Sequence, residues 1–238
     1  MQPAPWRRQG FDEMPEVRRI DASSPLAGRL EQHGIRVGEA RLSCPGHHLH
    51  ATRPHTPPVK IRALTTAELS PADVGAIRDL LTAAFAEDEH GGFTEDDWQR
   101  SIGGTHFLLE DAGRLVGHAS VVERDLYVDG HPIRTGYVEA VAIEPSRQRQ
   151  GLGSRLMDAV NAHVDAGFDL GGLGTGSQPF YERLGWQIWQ GPTSVRTATG
   201  TVPSSEEDGY ILVRRTPSSP PLRLTDPISC EWRPGDAW

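Results

Sequence analysis

Glu139 is a carboxylate in a run that is otherwise apolar, Tyr137-Val-Glu-Ala-Val-Ala-Ile. A charge in such a strand is costly unless it is paired, so Glu139 is a candidate for chemistry. The same run leads through Glu144-Pro-Ser-Arg into Gln148-Arg-Gln-Gly-Leu-Gly-Ser-Arg-Leu-Met. The order is strand, short turn, Gln148-x-x-Gly151-x-Gly153, amphipathic helix. That arrangement suits a pyrophosphate. Glycines let backbone approach a ligand, successive N–H groups point outward, and a helix N-terminus adds partial positive charge. Arg147 and Arg149 add charge pairing to phosphate. Arg114-Leu-Val-Gly-His-Ala fits the same spacing but falls inside a predicted hairpin strand, so only the 148–153 copy has the right surroundings. Gly171-Gly-Leu-Gly-Thr-Gly-Ser fails G-x-G-x-x-G in every register. It reads either as a tight strand end or as a surface turn.

The elements that position these residues follow from pattern. Val59-Lys-Ile-Arg-Ala-Leu predicts a short strand. Ser70-Pro-Ala-Asp opens a helix: Ser70 caps it, Pro71 suits its first position, and Asp73 sits where negative charge is favoured. Val74, Ile77, Leu81 and Phe85 fall on one face of that helix. A second short helix is predicted over about 94–102. Strands over 105–110 and 115–123 are joined by Asp111-Ala-Gly-Arg. Leu126-Tyr-Val is followed by Asp129-Gly130, a strong hairpin signal, and the returning strand is 135–143. Leu152, Leu156, Ala159, Val160 and His163 stripe a helix over 151–165. A strand near 168–173, a helix near 177–184 and strands near 186–190 and 210–214 follow. Strands in meander order, then alternating with helices, give an α/β (α+β) domain with a mixed sheet.

Composition bounds the possibilities. The 238 residues and 26.1 kDa suit one domain, or one domain plus an extension. Hydrophobic residues make up 37%, a modest share that leaves room for loop or tail beside the core. Residues 1–57 hold 8 Arg, no Lys and 6 Asp/Glu, about +2, with no sustained period. They read as a disordered or loosely packed extension ahead of a domain over 58–238. That domain carries about -10. It repels phosphate backbones, which argues against nucleic acid, and it attracts a polycation. No apolar run approaches the roughly 20 residues of a membrane span. Met1-Gln-Pro-Ala-Pro-Trp-Arg-Arg has no apolar core of a secretory signal. A soluble, cytoplasmic protein is expected. Cys44 and Cys230 cannot form a disulfide framework. Cys44 with His47, His48, His50 and His55 matches no common closed zinc site, so no metal is expected.

Gln148-x-x-Gly151-x-Gly153 in this setting resembles the acetyl-CoA-binding signature of the Gcn5-related N-acetyltransferases. Further segments resemble one family within them, the aminoglycoside 2′-N-acetyltransferases. These are Ala84-Phe-Ala with Phe93-Thr-Glu-Asp-Asp-Trp, Gly103-Gly-Thr-His, Gly136-Tyr-Val-Glu-Ala-Val-Ala, Tyr181-Glu-Arg-Leu-Gly-Trp, Gly191-Pro-Thr-Ser-Val, Glu206-Glu-Asp-Gly and Cys230-Glu-Trp-Arg-Pro-Gly-Asp-Ala-Trp. The likeness covers roughly 58–238. It implies the Gcn5-related N-acetyltransferase fold, a mixed, mostly antiparallel sheet flanked by helices. It implies direct acetyl transfer from acetyl-CoA to the 2′-amine of an aminoglycoside, without an acyl-enzyme, in a homodimer.

The same resemblance implies roles for residues. Glu139 would be the base that takes the amine proton. The backbone N–H groups around Val141 would meet the oxyanion. Tyr181 would protonate the departing thiolate. Val141, Ile143, Gln148, Arg149, Gln150, Gly151, Leu152, Gly153 and Ser154 would bind acetyl-CoA. Asp88, Asp97, Glu139, Gly174, Glu207, Asp236 and Trp238, with its α-carboxylate, would line a cleft for a polycationic amino-sugar. The chain departs from the family pattern at three of these places. Gly92 stands where the family has an aspartate, with Asp88 as a substitute in a longer loop. Gly174 replaces a serine, and Glu207 replaces an aspartate. Two rival functions are an N-acetyltransferase of the same fold acting on a different small amine, and a non-catalytic acyl-CoA sensor. Loop variation keeps the first open. The presence of Glu139 and Tyr181 argues against the second.

Overall fold

The structure, a computed structural model, describes residues 59–86 and 92–238. The extension expected over 1–57, its Cys44–His55 cluster and the loop residue Asp88 lie outside the described residues.

Among the described residues, ten strands form one sheet. Strand β1 (Lys60–Thr65) leads to α1 (Pro71–Ala84) and α2 (Glu95–Ser101). A meander follows: β2 (Thr105–Asp111), β3 (Arg114–Val128) and β4 (His131–Ile143). Then come α3 (Leu152–Gly167), β5 (Leu170–Gly174), α4 (Gln178–Glu182), β6 (Gln187–Ile188), β7 (Thr193–Thr197), β8 (Gly200–Pro203), β9 (Ile211–Arg215) and β10 (Ile228–Glu231). The order across the sheet is β6-β9-β5-β4-β3-β10-β7-β8, with β2 and then β1 beside the first half of β3. The β4–β5 and β7–β10 pairs are parallel and the others antiparallel. No helix among the described residues is long and apolar enough to cross a membrane.

Local chemistry explains the element boundaries. The Ser70 hydroxyl accepts from Asp73 N, and Asp73 returns the favour to Ser70, closing a capping box with Pro71 just inside the helix. Thr94 and Asp97 build the same box on α2. Asp129 and Gly130 both take positive φ and turn β3 into β4. The structure extends the sequence expectation here: 115–123 and Leu126-Tyr-Val are parts of one 15-residue strand.

Alternating side chains place apolar groups on both sheet faces. Phe107, Leu109, Val121, Val138 and Leu173 meet Leu156, Met157, Val160 and Val164 of α3. Leu108 and Ala142 meet Ile77 and Leu81 of α1 and Trp98 of α2. A third cluster joins Leu126, Ile133 and Tyr137 to Trp189, Val195, Ile228 and Trp238. Each fully buried aliphatic of this size contributes about 1.5–3 kcal/mol. The Gly171–Gly174 run is neither surface turn nor ligand loop. It is the buried strand β5. A Cβ on Gly172 would sit 2.8 Å from the Tyr137 ring, and one on Gly171 would sit 3.0 Å from Trp186.

Candidate active site

Two local features of β4 make the site. Ala140 takes φ +50, and Ala140 and Val141 have no partner in β3, where the ladder steps from Ser120↔Glu139 to His118↔Ala142. This is a bulge, which re-aims side chains and frees backbone groups from the ladder. On its other side, β4 pairs with β5 only as far as Tyr137↔Gly172. Past that point no described strand covers this edge of β4. That register sets Gly174, two residues on, level with Glu139.

The Glu139 side chain is buried, 6% exposed, and accepts from Arg233 Nη2 at 2.6 Å. Pairing answers the cost of burying the charge. Arg233 also donates to the Asp236 carbonyl and to a main-chain oxygen of Trp238, at 3.0 and 3.1 Å, and lies over the Tyr137 ring. Burial opposes its charge, but Glu139, Tyr137 and Asp236 outweigh that, and its pKa is raised. The sequence reading passed over Arg233. Its one local signal is an arginine set among Trp232, Pro234 and Trp238.

The 232–238 segment is held from several directions. Arg124 Nη2 donates to the Ala237 and Glu231 carbonyls at 2.9 and 3.1 Å. The Trp238 indole donates to Ser204 Oγ at 2.9 Å, and its ring is 1% exposed. Asp236 Oδ1 accepts from Trp238 N at 3.2 Å. Glu207 follows Ser204 in a short turn: it is 4% exposed, and its N–H donates to the Ser204 carbonyl. Glu139, Asp236 and Trp238 are thus joined through Arg233, and the Trp238 indole reaches Ser204, which opens the short turn that carries Glu207. Asp97 borders the same segment through Arg100, which pairs with it and packs under Gly235. The Asp97 carboxylate already serves the α2 cap, accepting from Thr94 N and Oγ1 at 2.8 and 2.7 Å. Beside Arg233 a cleft of about 340 Å³ opens between α2 and the 231–234 stretch, lined by Asp96, Val122, Arg124 and Trp232 among others.

Downstream of the bulge, the chain turns through Pro145–Arg147 into α3. Arg149 and Gly151 both take positive φ, +57 and +79, so the backbone reverses twice before the helix. Successive amides in such a path form an anion-binding concavity. Among the described residues no side chain caps α3, and its first turn carries no acid, so nothing local answers its positive end. Open space surrounds Gly151, where a Cβ would meet nothing within 4 Å. These features fit a pyrophosphate. Gln148 donates to the Ile143 carbonyl at 3.3 Å, tying the turn back to β4. Arg147 is committed to Asp111 at 2.5 Å, while Arg149 is exposed. Ile143 and Leu152 are buried, and Ser154 is half-buried. Gly153 faces the Phe180 ring, with a Cβ there 3.3 Å away, which brings α4 against the start of α3.

Tyr181 follows on α4. It is buried, edge-on to Phe180 and Trp186 at 4.9 and 6.4 Å. Burial raises its pKa, so the phenol holds its proton at neutral pH. Cys230 is fully buried, and burial pushes its thiol up to about 11. The sequence reading also missed His106 and His118, both fully buried below the bulge.

Residues 65–189 match the family model described as an acetyltransferase (GNAT) domain. A curated relative, the aminoglycoside 2′-N-acetyltransferase of Mycolicibacterium fortuitum, is 35% identical over 181 residues, covering 74% of this chain and 91% of the relative. The crystal structure of the Escherichia coli GNAT family N-acetyltransferase YhbS, in complex with CoA, superposes with a TM-score of 0.52 at 17% identity. It covers 76% of this chain and 93% of that one. The matched region holds the bulge, Glu139, the double turn and Tyr181. The chain belongs to the GNAT acetyltransferases and, among them, to the aminoglycoside 2′-N-acetyltransferase family.

Proposed function

We propose that this protein transfers acetyl from acetyl-CoA to the 2′-amine of aminoglycosides. The observation that carries the reading is the buried Glu139 carboxylate at the β4 bulge, one turn upstream of an uncapped helix entered through two left-handed residues. The activity of the Mycolicibacterium fortuitum relative supports the substrate class.

In this mechanism the Arg149–Gly153 backbone and the start of α3 bind the pyrophosphate, and Gln148 holds that turn against Ile143. The thioester lies along the uncovered edge of β4. Glu139 accepts the proton from the 2′-ammonium, directly or through water, and the freed amine attacks the thioester carbon. The C–N bond forms as the carbonyl oxygen gains charge, which the Val141 amide meets. The C–S bond then breaks, and the Tyr181 phenol, held protonated by burial, gives its proton to the thiolate. Neither step needs a cysteine nucleophile, and a thiol raised to about 11 is a poor one. Beyond the Glu139 charge that Arg233 compensates, Glu207 and Asp236 supply negative charge for a polycation, and Asp97 borders them.

The test is CoA-thiol release with two aminoglycoside sets. Tobramycin, gentamicin and kanamycin B carry a 2′-amine; kanamycin A and amikacin carry a 2′-hydroxyl. Turnover with the first set alone is expected. Turnover with both would keep the acetyltransferase and remove the 2′ assignment. Turnover with neither would overturn the aminoglycoside reading.

A further inference from the structure

At the bulge, β3 side chains reach two carbonyls of β4. Ser120 Oγ donates to the Glu139 carbonyl at 3.3 Å, and His118 Nδ1 lies 2.9 Å from the Ala140 carbonyl. A carbonyl only accepts, so His118 carries its proton on Nδ1. Its Nε2 is then an acceptor, and His106 Nδ1 stands 3.0 Å away as the donor. That leaves His106 Nε2 to accept from Thr66 Oγ1 at 2.9 Å. Thr66 Oγ1 in turn accepts from Gly103 N at 2.8 Å. Every bond in the chain runs one way, from the α2–β2 connection to the bulge. Both imidazoles are fully buried, and their rings are 5.3 Å apart. Burial lowers both pKa values, to about 4 for His106 and about 3 for His118, so both are neutral when the enzyme works. A buried polar pair is costly unless satisfied, and nonpolar packing would fill the same space. A strained non-glycine backbone is kept only where its surroundings hold it.

We infer that His118, oriented by His106, is a positioning residue for acetyl transfer: it locks Ala140 in the left-handed conformation and so aims the Glu139 side chain and the Val141 amide together. The inference rests on the roles given above to Glu139 and Val141. Neither histidine touches substrate, so the effect belongs to the transfer step and not to binding.

The test compares the full chain with His118→Leu and His118→Asn. Leucine fills the space without a donor. Asparagine carries an amide N–H at about the reach of Nδ1. His118→Leu is expected to lower kcat with tobramycin at least about tenfold. The KM for tobramycin and the Kd for acetyl-CoA are expected within about twofold of the parent. Amide exchange at Ala140 and Val141 should speed up. His118→Asn should recover most of kcat and the exchange protection. A folded His118→Leu protein with parental kcat, or an Asn variant no better than Leu, overturns the inference. If His118→Leu fails to fold, His106→Phe and His106→Asn repeat the comparison one residue back, with the same expectations. A parent inert with every aminoglycoside would instead remove the reading on which this one rests.

Discussion

Glu139 and Arg233 are 94 positions apart in the chain, and their side chains meet at 2.6 Å with the carboxylate almost wholly buried. Arg233 therefore does two jobs: it compensates the buried charge and fastens the 232–238 segment through the Asp236 carbonyl and a main-chain oxygen of Trp238. Removing it strands Glu139. Breaking one partner of a buried pair costs about 3–5 kcal/mol, more than removing both. Arg233→Met should lower unfolding stability by about 3 kcal/mol, read in urea. The double variant with Glu139→Gln should regain part of that loss. Equal stability of parent and Arg233→Met would show that the pair contributes nothing.

Glu139→Gln tests the chemistry separately. Glutamine keeps the shape and can still accept from Arg233, but it cannot take a proton. Loss of a general base costs about 10²–10⁴-fold. We expect kcat to fall at least about 100-fold while acetyl-CoA binding, measured by calorimetry, is unchanged. Turnover equal to the parent would take Glu139 out of the reaction.

The sequence carried those parts of this site that are local. The Ser70–Asp73 and Thr94–Asp97 boxes, the Asp129-Gly130 hairpin and the strand–turn–helix around Gly151 are each fixed by neighbours in the chain. The parts that were not legible depend on distant pairing. His106 and His118 meet only because β2 and β3 align Leu108 with His118. Arg233 reaches Glu139 only because β10 pairs with β3 and β7 at once. Strands β7, β8 and β10 were not expected. Gly200–Pro203 is exposed throughout, and Thr193–Thr197 is polar apart from Val195, so neither has an apolar run. The left-handed Ala140 has no signal at all, since alanine is not a residue that seeks φ +50.

The two histidines make stability sensitive to acid. Burial holds His106 at about 4; burial and then His106 hold His118 at about 3, against about 6.5 in an unfolded chain. Below pH 6.5 the unfolded chain binds protons that the folded one refuses. Stability from this source is therefore complete above about 6.5 and falls as pH drops toward about 4. Paired carboxylates such as Asp73, held at about 2 by Ser70 and then Arg62, act only below 3.8. The urea midpoint should fall between about pH 7 and about pH 5, and fall less in His118→Asn. Parallel curves for the two proteins would exclude the pair as the source.

Gly151 separates backbone conformation from packing. Its φ is +79, and open space lies where a Cβ would go. Alanine there meets no neighbour, so its only cost is the left-handed strain of about 1–2 kcal/mol. If the double turn binds the pyrophosphate, Gly151→Ala should raise the KM for acetyl-CoA about five- to thirtyfold. The KM for tobramycin and kcat at saturating acetyl-CoA should change little. A rise confined to the tobramycin KM would place the cosubstrate elsewhere.

Cys230, the cysteine among the described residues, tests direct transfer against an acyl-enzyme. It is fully buried, its Sγ is 3.3 Å from the Ala237 carbonyl, and its thiol is raised to about 11, so it stays protonated at neutral pH. Such a sulfur packs the 230–238 segment and is a poor nucleophile toward a thioester. Cys230→Ala leaves a small cavity and should cost roughly 1 kcal/mol, with kcat/KM within about threefold of the parent. Incubation with radiolabelled acetyl-CoA alone should leave no label on the protein after denaturation. Acetyl retained on the parent and absent from Cys230→Ala, together with lost turnover, would replace direct transfer by a two-step route through this residue.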